Sequence, residues 1–228
     1  MSSHTNSQRR KFLGTVASGA AAIGIAALAR PIDAAAAMTT NPPGSTDLAT
    51  FNDWLSQIKG SHKQVFDSPE PNGGVPLAWT RVFLMSNTAV GVADGDATAV
   101  LVLRHASIGL GMNDAMWEKY GFGELFKMDD PGTKAPAKRN AWYNPTPGQL
   151  PLPDMGVEAL LKSGVLIGLC DMAMSVYSGM IGKKMGVDPA TVKKEWVASI
   201  FPGIQVVPSG VLAINRAQEH GCTYCYAG

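Results

Sequence analysis

Cysteine is scarce in this chain: three among 228 residues, at positions 170, 222 and 225. An odd count leaves at least one thiol unpaired in any oxidising compartment. Nucleotide-binding signatures are missing too. No G-x-G-x-x-G opens a helix after a strand and no G-K-[ST] occurs, so a phosphate cradle has no motif to rest on. Neither sign of charge prevails, with 19 Lys and Arg against 18 Asp and Glu, and no basic face for nucleic acid stands out. Asp94-Gly95-Asp96 carries too few carboxylates for a calcium loop. No internal repeat is present, and no apolar run reaches the roughly 20 residues of a membrane span.

What is there begins with "SQRRKFLGTVASGAAAIGIAALARPIDAAAA", residues 7–37. Arg9-Arg10, a weakly apolar stretch from Gly14 to Ala29 and the small residues Ala34 to Ala37 follow the layout of an export signal: basic start, short apolar middle, small-residue cut. The Arg pair with Phe12-Leu13 resembles the twin-arginine signal, although Gln8 and Gly14 stand where that pattern has Ser and Lys. The expected organisation is therefore a signal peptide over 1–37, a Pro/Gly linker over 38–46 and one folded domain over 47–228. A periplasmic location follows, with no membrane association once the signal is cleaved. Twin-arginine export carries folded proteins, which suits a cofactor or an assembled oligomer. Cleavage removes four basic residues and one acidic one, taking the formal charge from +1 to −2.

The spacing of Phe51, Trp54, Leu55 and Ile58 predicts a helix over 47–59, capped by Ser45 or Thr46. "HKQVFDS" (62–68) reads as a strand, 76–90 as a helix, and "ATAVLVLRH" (97–105) as a central parallel strand buried on both faces. A helix capped by Asn113 covers about 113–120. Residues 127–154 hold six prolines, and so long an irregular stretch is usually a functional or a mobile loop. Then follow a short helix (155–162), strand 164–170, helices 171–185 and 189–198, strand 204–208, helix 210–220 and a closing strand, "CTYCYA". Strands alternating with helices give an α/β fold: one doubly wound domain with a mainly parallel five-stranded sheet and helices on both faces.

Ligands of such sheets bind at the carboxyl ends of the strands. There Cys170 ends the third strand and begins a helix, where the helix dipole favours a nucleophilic thiolate. Asp171 opposes this, and a buried Cys acting as a small apolar residue is the structural alternative. His105, at the end of the second strand, is a candidate base, hydrogen-bond donor or metal ligand, with a turn-capping role as its alternative. Arg104, one residue earlier, is expected to point to the opposite side.

The tail, "EHGCTYCYAG", places Cys222 and Cys225 in a C-x-x-C after His220. Covalent haem attachment needs C-x-x-C-H, and residue 226 is Tyr. A thioredoxin-type pair needs a helix after its first Cys, and the chain ends three residues beyond Cys225. In an extended strand the two cysteines face opposite sides with Cα atoms about 10 Å apart at roughly 3.3 Å per residue, too far for a disulfide. His220 and Cys222 on a shared face could bind a soft metal only with ligands from elsewhere. Metal binding by His220, Cys222 and Cys225, a long-range or intersubunit disulfide, and inert strand cysteines all stay open.

Residues 156–226 carry "GVLIGLCDMAM" and "FPGIQVVPSGVLAINRAQEHGCTYCYA". The order of Pro202-Gly203, Ser209-Gly210-Val211, Gln218, Gly221 and Tyr224 around these strands resembles the DsrE-like proteins of sulfur oxidation and sulfur relay. "VLVLRHASIGLGMNDAMWEKYGFG", ending its strand in His, resembles an exported branch of that family. The resemblance implies a parallel five-stranded sheet, homo-oligomers (trimers or hexamers), and a persulfide-carrying cysteine at position 170 that exchanges sulfur with small sulfur species or an acceptor thiol protein. It departs in one respect: relay members carry basic residues on the helix after the cysteine, whereas here none precedes Lys183. Cys222 and Cys225 are additions to the family pattern. The expected function is sulfane sulfur binding or transfer through Cys170, with His105 lining the pocket. The competing readings are a periplasmic module carrying a metal ion or haem without turnover, through His105, His220, Cys222 and Cys225, and an oligomeric structural protein with incidental thiols.

Overall fold

The apolar run at the centre of the chain forms the sheet's centre. The computed structural model describes residues 47–228; the expected signal peptide, linker and capping residues Ser45 and Thr46 lie outside the described residues. Strand β2 (Ala97–Leu103) is paired on both sides, by β1 (His62–Ser68) and by β3 (Leu166–Cys170). Beyond β3 lies β4 (Gln205–Val207), and beyond β1 lies β5 (Thr223–Tyr226). The order is β4-β3-β2-β1-β5, and every pairing is parallel. Successive side chains of β2 then face helices on both sides, which is why alternation is absent from "VLVL".

The intervening helices are α1 (Leu48–Ser56), α2 (Val75–Ala89), α3 (Asp114–Tyr120), α4 (Phe122–Leu125), α5 (Val157–Lys162), α6 (Asp171–Met185), α7 (Pro189–Ala198) and α8 (Gly210–Glu219). They divide into two layers. Val65, Val100, Val102 and Val207 pack against Phe51, Trp54 and Leu55 of α1 and Ala213, Ile214 and Ala217 of α8. Phe66, Leu101, Leu103, Ile167 and Leu169 face the opposite layer, built from α2 to α7. Each fully buried Leu, Val or Phe in these layers contributes about 1.5–3 kcal/mol. Gly168 lies on the α1 side, where a Cβ would stand 3.1 Å from the Trp54 ring. Its bare backbone is what lets the outer edge of the indole reach β3.

Several boundaries differ from the sequence reading. Strand β2 stops at Leu103, before Arg104 and His105. The Arg104 N–H still donates to the Ser68 carbonyl at 3.0 Å, but His105 then turns the chain with φ +49° into a 3₁₀ stretch, His105–Gly111. That stretch and α4 have no helical periodicity long enough to announce them. Helix α1 is capped by Asp47, whose Oδ1 accepts from the Ala49 N–H at 3.0 Å. Asn113 occupies the cap position of α3 but makes no capping bond there.

Residues 127–154 are irregular, as expected, and mostly exposed, but several side chains reach the core. Met128, Ala141 and Trp142 are buried. Trp142 stacks on Trp117 at 5.4 Å and donates its indole N–H to the Gly73 carbonyl at 2.9 Å. The segment is a wall of the core built without regular elements. No helix among the described residues is long and apolar enough to cross a membrane.

Candidate functional site

Connections leave the carboxyl ends of β3 and β4 in opposite directions. The chain after β3 enters α6, in one layer, and the chain after β4 enters α8, in the other. Such a divergence of exits between adjacent strands marks the usual ligand site of open α/β sheets. Cys170 ends β3 at that divergence.

Its sulfur is held by backbone donors from both sides. Cys170 is the N-cap of α6, and Sγ accepts from the Ala173 N–H at 3.3 Å. The Gly210 N–H, at the start of α8, donates to the same atom at 3.2 Å. Two helix N-termini of 15 and 10 residues thus converge on one sulfur, an arrangement complementary to an anion. The residue is buried, at 5% exposed. Asp171, the neighbour that would oppose a thiolate, is buried and engaged by Lys193 of α7, with Nζ–Oδ2 at 2.9 Å. Its charge is therefore largely offset.

Arg104 is where the structure corrects the sequence reading most. In the β2–β3 register Leu103 lies opposite Leu169, and one further step brings Arg104, not His105, level with Cys170. Alternation therefore aims Arg104 to the same side of the sheet as the sulfur. Its Nε and Nη2 donate to the two carboxylate oxygens of Asp67 at 2.6 and 3.0 Å. Tyr224 of β5 donates its hydroxyl to Asp67 Oδ2 at 2.8 Å. Arg104 is held above its ordinary pKa chiefly by the Asp67 hydrogen bond, with smaller contributions from Tyr224 and Cys170. Tyr224 is raised first by burial and then by its bond to Asp67. The Arg104 stem crosses the start of α8, where a Cβ on residue 210 would come within 2.6 Å of Arg104 Cβ. Glycine there is what lets the Arg104 stem cross the helix terminus whose N–H bonds the sulfur.

His105 points elsewhere. Nδ1 lies 3.1 Å from Glu70 Oε1, and Nε2 is 3.2 Å from the Tyr177 hydroxyl. The imidazole is 57% exposed. Burial, and then the Glu70 carboxylate, raise Tyr177. The three side chains form a hydrogen-bonded group at the same end of the sheet, with no hydrogen bond to Cys170. Beneath them the Ser68 and Ser107 hydroxyls pair at 2.7 Å, tying the end of β1 to the 3₁₀ stretch.

The terminal residues are dispersed. Cys222 lies in the α1/α8 layer and Cys225 packs against the opposite one, while His220 ends α8 in solvent. Burial pushes both thiols up, against a smaller lowering of Cys222 by Lys63. Among the described residues no three His, Cys, Asp or Glu side chains are placed to hold a metal ion, and all three cysteines are free thiols. Two clefts lie away from this chemistry. One of about 440 Å³ sits at the opposite, amino end of the strands beside Ala97 and Ser163, and one of about 380 Å³ lies within the proline-rich segment.

Asp67, Arg104 and Tyr224 are the residues that sequence reasoning missed as a group. Asp67 stands near the end of β1, a position the sequence can suggest; Arg104 needed the register, and Tyr224 needed the placement of β5 beside β1. No protein-family model matches the chain, and no curated protein matches it in sequence.

Proposed function

We propose that this protein takes up sulfane sulfur on Cys170 and passes it to an acceptor thiol. One observation carries the reading: a single sulfur atom at the divergence of β3 and β4 accepts N–H donors from two helices. The reacting form is the thiolate. The Cys170 thiolate attacks the sulfane sulfur of a donor, the donor's S–S bond breaks, and the leaving group departs with the electron pair. Cys170 then carries a persulfide. An acceptor thiolate attacks its outer sulfur, the new S–S bond breaks, and the Cys170 thiolate is restored. No net oxidation occurs, and the burial of Cys170 restricts the donor to a small sulfur species. The resemblance to DsrE-like proteins supports the same chemistry. His105, with Glu70 and Tyr177, stands at the same end of the sheet without a hydrogen bond to Cys170. Export through the twin-arginine signal would place the exchange in the periplasm, in a homo-oligomer.

The test is sulfur loading followed by intact mass. Protein incubated with a low-molecular-weight polysulfide is expected to gain cyanide-labile sulfur and the mass of one added sulfur atom. Cys170→Ala is expected to lose at least nine-tenths of both, and Cys222→Ala and Cys225→Ala to keep them. Equal loading of Cys170→Ala rules the proposal out.

A further inference from the structure

The Arg104 guanidinium is only partly used. Asp67 occupies Nε and Nη2, and among the described residues Nη1 makes no hydrogen bond. A planar guanidinium fixed along one edge keeps its remaining donors in a set direction at little further entropic cost. The fixing is itself supported, because the Tyr224 hydroxyl holds the Asp67 carboxylate from the other side. The Arg104 stem overlies the Gly210 backbone, whose N–H bonds Cys170. Arg104 is partly exposed, at 27% of its side chain, so its unused edge is open to a ligand.

We infer that Arg104 is a substrate-binding residue selecting anionic reactants at Cys170, and that Asp67 and Tyr224 are its positioning residues. The inference rests on Cys170 being the reacting atom and adds the class of its partner: a small anion whose negative group pairs with Nη1 while its electrophilic atom meets Sγ. In the sulfur transfer above, the leaving group departs with the bonding electron pair, so it gains negative charge as the S–S bond breaks. A guanidinium already in place stabilises that charge without reorganising. It also assigns a role to the closing strand: Tyr224 of the "TYCY" segment links the end of the chain to the site, while the cysteines beside it do not.

Alkylation of Cys170 by iodoacetate and by iodoacetamide isolates the charge effect, because the two reagents are nearly equal in size and differ by one negative charge. The rate of each is followed by mass spectrometry of the peptide containing Cys170, and the ratio cancels the narrow access. The folded protein is expected to favour iodoacetate relative to the urea-unfolded chain. Arg104→Gln is expected to lower the ratio about five- to tenfold, the scale of one nearby charge at a partly exposed site. Arg104→Lys should retain most of it, and Tyr224→Phe should lower it two- to threefold without slowing iodoacetamide. Added salt should reduce the wild-type ratio, which serves as a second measurement should Arg104→Gln fail to fold. A ratio unmoved by both salt and Arg104 substitution overturns the inference. If the ratio responds but Cys170 takes up no sulfur, anion selection stands and sulfur transfer falls; if sulfur loads and the ratio is unmoved, the reverse holds.

Discussion

Each of the three cysteines has a different surrounding, and that difference fixes what each thiol can do. Cys170 meets two N–H donors; Cys222 and Cys225 meet mainly apolar side chains on opposite faces of the sheet. Burial favours the neutral thiol, so the last two are raised. The sign of the linkage follows: their contribution to stability is intact below the ordinary thiol range, about 8.5, and is lost as pH rises through the raised folded values. At neutral pH, iodoacetamide is therefore expected to label Cys222 and Cys225 at least tenfold more slowly than in urea, with labelling and loss of stability both advancing on the alkaline side. Peptide mass spectrometry across a pH series measures this directly. Rapid labelling of Cys225 in the folded protein at neutral pH would contradict it.

Among the elements, the irregular wall of residues 127–154 depends on one side chain. Asn140 is buried; its Nδ2 donates to the Leu110 and Met112 carbonyls at 2.9 and 2.8 Å, and its Oδ1 accepts from the Trp142 N–H at 3.2 Å. It thereby ties the wall to the turn that follows Arg104 and His105. Asn140→Ala strands those groups in the interior and is expected to cost about 2–3 kcal/mol, read as a lower denaturation midpoint with an unchanged slope. Nothing local announces this role, since an Asn in a proline-rich stretch reads as a turn residue. The strands were legible because apolar runs such as "VLVL" and "LIGLC" need only burial to explain them, and α7 and α8 because Asp188-Pro189 and Ser209-Gly210 start helices by local chemistry. Arg104 was not legible. Its direction depends on where β2 stops and on the register with β3, and both are set by pairings with distant strands, Leu103 with Ser68 on one side and with Leu169 on the other. Cys170 could be named from its own neighbours; the guanidinium beside it could not.

For the molecule as a whole, the order β4-β3-β2-β1-β5 places the divergence of exits at one end and leaves α2 on the surface of the larger layer. That helix is poorly covered. Of its 15 residues only Pro76, Leu77 and Thr80 are buried, while Val75, Trp79, Val82 and Met85 stand open on one face. Trp79 alone is 49% exposed. Large apolar groups clustered on a helix face mark an association surface more often than a solvated one, and tryptophans near its centre tend to carry the energy. A second copy of the chain is the occupant we propose for it. The residues involved are remote in kind from Asp67, Arg104 and Cys170, so assembly and sulfur chemistry should separate. Light scattering coupled to size exclusion should find the residue 38–228 chain as a multimer, and Trp79→Glu should weaken its association at least tenfold while leaving the far-ultraviolet dichroism unchanged. The same variant should load sulfur on Cys170 as the parent does. A monomeric parent protein at micromolar concentration would remove α2 as an oligomer interface and leave its open apolar face without an occupant.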